Sequence, residues 1–206
     1  MLIRELPVPD AYECAPPTFP DARGLYYVPL HLPSLSAVLG YRPVFAQVNH
    51  ALSRRGAVRG PHFADVPPGQ AKFAYCSSGA LLDLVVDLRV GSPTFGRHAA
   101  LRLDATQCHG VYLAEGLAHA VVALEDDTVL TYLSSTPYDS EAEHGVNPLD
   151  PALGLPLPAE LELIVSERDR TAPTIGQARA AGCLPRYEDC LRRYRELRRR
   201  PVAAFA

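Results

Sequence analysis

Between residues 44 and 135 the chain repeats one pattern, a short apolar run followed by a break. Val44–His50, Ala57–Arg59, Lys72–Cys76, Leu81–Val90, Ala99–Leu103, Gly110–Leu113, His119–Leu124 and Thr128–Ser134 are rich in Val, Leu, Ala and Tyr. Gly, Pro, Asp or Ser separates them at intervals of roughly ten residues. Leu101–Arg102–Leu103–Asp104 alternates strictly, the period of a strand with one wet face, whereas Leu84–Val85–Val86–Asp87–Leu88 is mixed. Eight short strands with regular turns and no intervening helical period predict an all-β fold, a sandwich or jelly-roll barrel.

The flanks read differently. Residues 1–30 are extended and turn-rich, with Pro7, Pro9, Pro16, Pro17 and Pro20. Pro33–Gly40 predicts a short helix closed by Gly40. Leu163–Ser166 reads as a last strand. Beyond it Ile175–Ala181 predicts a short helix ending at Gly182. Tyr187–Arg200 places Tyr187, Cys190/Leu191, Tyr194 and Leu197 on one helical stripe, with Arg on the other faces. The organisation is a single domain over residues 1–206. It has an extended arm and short helix (1–43), a barrel (44–166) and a helical C-terminal tail (167–206), without internal repeats.

Composition narrows the class. Apolar runs such as Ala80–Val86 are broken by Asp and too short to span a bilayer. The opening MLIRELPVPD lacks an apolar h-region, so no signal peptide is expected. A net charge of −3 gives no footprint for a nucleic-acid polymer. Residues 186–200 carry seven Arg against three acids, a local +4 that leaves −7 elsewhere, and read as a solvated helix face docked on the barrel. The five Cys are odd in number and never form C-x-x-C, which fits buried thiols in a reducing cytoplasm. Of the 20 cationic Lys+Arg residues only one, Lys72, is a lysine. A genome that favours Arg codons explains the bias but not the exception.

Candidate chemistry starts at Arg59–Gly60–Pro61–His62. A lone His is more often structural than catalytic, but antiparallel strands can bring Arg59 and Lys72 beside this one. A neutral His near cations is poised as a general base. His119, in Gly116–Leu117–Ala118–His119, resembles the second half of the cupin signature. The first half, H-x-H followed by Glu, is missing after His62. Two imidazoles without a third or fourth protein ligand are too few for an ordinary metal site, so the barrel reads as metal-free. Tyr132, Tyr138 and Asp169 each have bland readings when taken alone, as core packing or a surface carboxylate.

Taken in order, these residues resemble the dTDP-4-dehydrorhamnose 3,5-epimerase family, cupins of deoxysugar biosynthesis. The run R-G-x-H, Q-x-K and V-D-L-R-x-G-S-P-T-F-G covers Arg59–His62, Gln70–Lys72 and Val86–Gly96. Gly116–His119 matches G-F-A-H, and Tyr132 to Pro151 matches Y-x5-Y…E-x-G…D-P. Ser166–Asp169 matches S-x-K-D, Phe19–Gly24 F-x-D-x-R-G, and Gln47–His50 Q-x-N-H. The likeness covers about residues 1–185 and excludes the Arg-rich tail.

The resemblance implies a set of roles. His62 is the base that takes a proton beside the C4 ketone of a dTDP-4-keto-6-deoxyhexose, with Asp169 fixing its tautomer. Lys72 stabilises the enolate oxygen, and Tyr132 returns a proton on the opposite face. His119 lines the sugar pocket. Arg59, Gln47 and Asn49 hold the nucleotide and diphosphate, and Tyr138 and Glu143 line the nucleotide pocket. Phe19 and Arg23 reach into the site of a partner subunit, which implies a homodimer with exchanged N-terminal segments. No cofactor and no metal are implied.

The chain departs from the family pattern at Val28, Ala64, Ala71 and Arg168, none of which removes an acid, base or oxyanion group. The texture is closer to enzymes of antibiotic deoxysugars than of cell-wall rhamnose. Two other readings use the same barrel: a non-catalytic or metal-binding cupin, and a 3,4-ketoisomerase that tolerates loss of the opposite-face Tyr.

Overall fold

The computed structural model describes residues 1–199, and the apolar runs fold into two facing sheets. The first sheet has the order β1 (Leu2–Glu5), β2 (Ala11–Ala15), β10 (Gly110–Leu113), β7 (Lys72–Ser78), β12 (Thr128–Ser134) and β5 (Gln47–Ser53). The second has the order β13 (Glu143–Gly145), β6 (Ala57–Ala64), β11 (Ala118–Ala123), β8 (Ala80–Val86) and β9 (His98–Asp104). The two-residue β14 (Ile164–Val165) lies parallel to β6. A separate hairpin is formed by β3 (Thr18–Asp21) and β4 (Gly24–Tyr27). Strands distant in sequence are neighbours in both sheets, the interleaving of a jelly roll.

Alternation along the strands builds the core between the sheets. Ala74, Cys76, Val111, Leu113 and Leu130 of the first sheet meet Leu81, Val85, Leu103 and Val121 of the second. The outer face of the first sheet is also apolar, and two helices cover it. Leu35 and Leu39 of α1 (Leu32–Leu39) and Cys190, Tyr194 and Leu197 of α4 (Tyr187–Arg199) pack over Phe73 and Tyr112. α1 stops where Gly40 turns left-handed at φ 74° and its N–H reaches the Ser36 carbonyl. α4 buries positions i, i+4 and i+7, and Leu191 lies outside that stripe, 37% exposed. Arg200, the last residue of the expected helix, lies outside the described residues. Two shorter helices, α2 (Glu167–Arg170) and α3 (Ile175–Ala180), precede α4.

Several boundaries differ from the sequence reading. β1 and β2 continue the first sheet, because β2 pairs with β10 and buries Ala11 and Cys14. The strand expected at Val44–His50 runs Gln47–Ser53, where pairing with β12 begins at Ser134. The strand expected to end at Arg59 continues to Ala64, and the one expected to reach Val90 ends at Val86.

The stretch after β8 holds a fully buried ion pair. Asp87 accepts from the Arg89 backbone N–H and side-chain Nε and Nη2, and from Ser92 and Thr94 hydroxyls at 2.6 Å. Arg89 also reaches Asp10 at 2.7 Å, the Pro9 carbonyl and the Tyr194 hydroxyl. These bonds oppose burial and hold the Asp87 carboxyl below the usual carboxylate range. The cluster ties the N-terminal strands, the β8–β9 connection and α4 together.

Candidate active site

The site opens from a local irregularity in β6. A regular strand would send Arg59 and His62, three residues apart, to opposite faces. Across β11, however, His62 pairs with His119 and Arg59 with Val121, so three steps on β6 match two on β11. This bulge brings both side chains to the cavity, His62 half-buried and Arg59 exposed at its rim, where it donates to the Ser53 hydroxyl and the Leu52 carbonyl. Gly60 makes it at φ 83°, where a Cβ would lie 2.3 Å from the His119 carbonyl oxygen. The Gly60 N–H freed from the ladder points to Asp169 Oδ2 at 3.3 Å.

His62 Nε2 and Asp169 Oδ1 are 2.6 Å apart. A carboxylate can only accept, so neutral His62 carries its proton on Nε2 and leaves Nδ1 unprotonated. Asp169 is positioned by α2, whose N-cap Ser166 hydroxyl accepts from the Asp169 N–H. Burial works against its charge, but the bonds from His62 and Gly60 prevail and lower its pKa.

Lys72 begins β7, and its side chain is 8% exposed. Burial pulls its pKa down, and Glu143 opposes that pull. Lys72 Nζ lies 3.9 Å from Glu143 Oε2 and 5.8 Å from the ring centre of Tyr132. Tyr132, on β12, has its phenol pKa raised by burial and then by Glu143, so the protonated form is favoured. Glu143 sits on β13, which pairs with β6 beside His62.

These residues line one cavity of about 460 Å³. It brings together Arg59, His62, Lys72, His119, Tyr132, Tyr138, Glu143 and Asp169. Gln47 and Asn49 of β5 do not line it but bond to two residues that do. Gln47 Oε1 accepts from the Tyr138 N–H at 3.0 Å, and Asn49 Nδ2 donates to the Tyr132 carbonyl at 3.4 Å. Phe19 and Arg23 do not line the cavity of their own chain. Phe19 is 55% exposed on the β3–β4 hairpin, and Arg23 pairs with Asp21 at 2.5 Å. A larger hollow of about 770 Å³ lies between α4 and the outer face of the first sheet and holds none of these residues.

Two contributors escaped the sequence reading. Asp83, fully buried on β8, faces His119 Nε2 at 2.7 Å and makes a second histidine–carboxylate pair. Its sequence signal was an Asp inside the apolar run Ala80–Val86, a position that needs a partner. Arg168, noted there only as a departure, donates to the Tyr138 hydroxyl at 3.2 Å and the Glu143 carbonyl at 3.1 Å. Among the described residues, no three His, Cys, Asp or Glu side chains are grouped to hold a metal ion.

Fold and cavity together define a cupin-type barrel whose interior carries acid–base side chains. The dTDP-4-dehydrorhamnose 3,5-epimerase family profile matches residues 5–177, and the chain belongs to that family. A dTDP-4-dehydrorhamnose 3,5-epimerase of Streptomyces griseus is 47% identical over 189 residues, 92% of this chain and 94% of the relative. An epimerase structure from Mycobacterium tuberculosis superposes with a TM-score of 0.92 at 41% identity, covering 96% of this chain and all (100%) of that one. The structure of a 3'-monoepimerase from Streptomyces bikiniensis in complex with dTDP-quinovose gives 0.92 at 42% identity, covering 94% and 98%. No helix among the described residues is long and apolar enough to cross a membrane.

Proposed function

We propose that this chain epimerises a dTDP-4-keto-6-deoxyhexose at the carbons flanking its C4 ketone, without a cofactor, in deoxysugar biosynthesis of the natural-product type. The observation that carries the reading is the placement of His62 and Tyr132 on opposite sheets of one cavity, with Lys72 beside Tyr132. Inversion needs proton removal on one face and return on the other, hence two groups that face each other.

His62 Nδ1 takes the proton from carbon, and the C–H electron pair moves into the ring as the C4 oxygen becomes an enolate. Asp169 supports the imidazolium that forms. The Lys72 ammonium, largely buried, meets the developing oxyanion, where one such donor contributes on the order of 3 kcal/mol. The Tyr132 hydroxyl delivers its proton to the opposite face of the same carbon. His62 then releases a proton and the tyrosinate gains one, so the enzyme returns to its starting state. Arg59, Gln47, Asn49 and Tyr138 hold the nucleotide, whose remote binding energy keeps the ring in a reactive pose.

The active form in this reading is a homodimer with exchanged N-terminal segments. The β3–β4 hairpin stands almost wholly exposed, and Val48 and Leu52 present 63% and 64% of their surface on the outer face of β5. A second copy would cover these apolar groups and receive Phe19 and Arg23 at its own site. The test of the reaction is incubation with dTDP-4-keto-6-deoxyglucose in D2O. Deuterium at C3, C5 or both is the expected result. No incorporation overturns the proposal, and a carbonyl found at C3 makes the chain a ketoisomerase.

A further inference from the structure

Three basic side chains of the cavity, His62, His119 and Lys72, each have a carboxylate close by, supplied by a different element. Asp169 of α2 serves His62, and Asp83 of β8 serves His119. The third carboxylate, Glu143 of β13, stands by Lys72, yet in the reading above it only lines the nucleotide pocket. We propose that Glu143 is a positioning residue that acts through Lys72, keeping that amine charged and aimed at the enolate oxygen. This deepens the proposed reaction and rests on it.

Geometry supports the assignment. Lys72 and Glu143 side chains are 8% and 13% exposed, so water does little to hold either charge. Their separation of 3.9 Å is too long for a hydrogen bond. The carboxylate therefore supplies charge without occupying the three ammonium donors, which remain available to an oxyanion. A tighter bond would compete with the enolate.

β13 is also fixed on both sides. Its Glu143 pairs with Ala64 of β6, and its carbonyl accepts from Arg168. The other titratable or charged groups facing Lys72 across the cavity are Arg59 and His62 of β6, His119 of β11, Tyr132 of β12, Tyr138, and Arg168 and Asp169 around α2. Asp169 is already bonded to His62, which leaves Glu143 as the carboxylate facing Lys72 among the described residues.

The single lysine makes the test direct. Protein labelled with 13Cε-lysine gives one lysine side-chain signal, because Lys72 is the only lysine in the chain. In Glu143→Gln the titration midpoint of that signal should move down by about one pH unit relative to the parent protein, with an intermediate move in Glu143→Asp. A midpoint unchanged within about 0.2 pH units overturns the proposal. If Glu143→Gln does not fold, the Asp variant decides by the same criterion.

Kinetics supply a second reading. The alkaline limb of kcat should follow the same shift, with KM changed less than about threefold. In a Lys72→Arg background, where guanidinium does not titrate in this range, only the part of the shift that Glu143 exerts on the Tyr132 phenol should remain. A raised KM with an unmoved limb would make Glu143 a nucleotide contact and contradict the proposal. The titration needs no substrate, so it stands or falls separately from the epimerase reading.

Discussion

Two of the clusters of buried charge in this barrel are built on opposite principles. Around Arg89 the bonding is closed: Asp87 accepts five hydrogen bonds, and the guanidinium is shared among Asp87, Asp10, Pro9 and Tyr194. Inside the cavity the bonding is left open. Lys72 makes no close hydrogen bond to Glu143, and His62 keeps one ring nitrogen free of Asp169. Buried charges that are fully bonded hold elements together, while those left short of partners are available to a substrate. The same residue types thus serve structure or chemistry according to whether their bonding is complete.

Breaking one member of each cluster separates these roles. His62→Asn should lower kcat by on the order of 10³-fold or more while leaving the melting temperature nearly unchanged. Asp87→Ala should do the reverse, costing about 3–5 kcal/mol of stability in denaturant titration because it strands a buried guanidinium. The surviving folded fraction should retain its kcat. Lys72→Arg should cost about 100-fold in kcat, since a planar fork does not replace a compact ammonium at an oxyanion. Near-normal activity would return the lone lysine to an accident of composition.

A pH series sharpens the contrast further. Asp87 has a lowered pKa in the folded state, so its stabilisation is present above the unfolded value near 4 and is lost as pH falls through the folded value. The parent protein should therefore lose stability below about pH 4 more steeply than Asp87→Asn, as read by thermal melts. The smallest expected effect is none: exhaustive EDTA treatment should leave turnover unchanged, and a zinc or iron requirement would favour the metal-cupin alternative.

Much of the barrel was legible because its signals are local. Alternation and turn residues mark strands one at a time, and the helical stripe of α4 lies within one segment. The cavity residues His62, Lys72, Tyr132 and Asp169 were legible as a set through the ordered motifs of the family. What stayed hidden depends on register. The bulge at Gly60, which brings Arg59 and His62 to one face, exists only against β11. The pairing of Asp83 with His119, and of Glu143 with Lys72, joins residues 36 and 71 positions apart through neighbouring or facing strands. The place of β1 and β2 in the first sheet likewise follows from long-range pairing with β10.

The central claim is that protons leave and return on opposite faces, through His62 and Tyr132. It is tested most directly by Tyr132→Phe in D2O with dTDP-4-keto-6-deoxyglucose. Deuterium and configuration are read together by NMR at each carbon beside the ketone. The account predicts that the variant still exchanges the proton removed by His62 but returns it to the same face, so deuterium enters with little inversion. Inversion at the parental rate, or equal and mild losses of exchange and inversion, would contradict it.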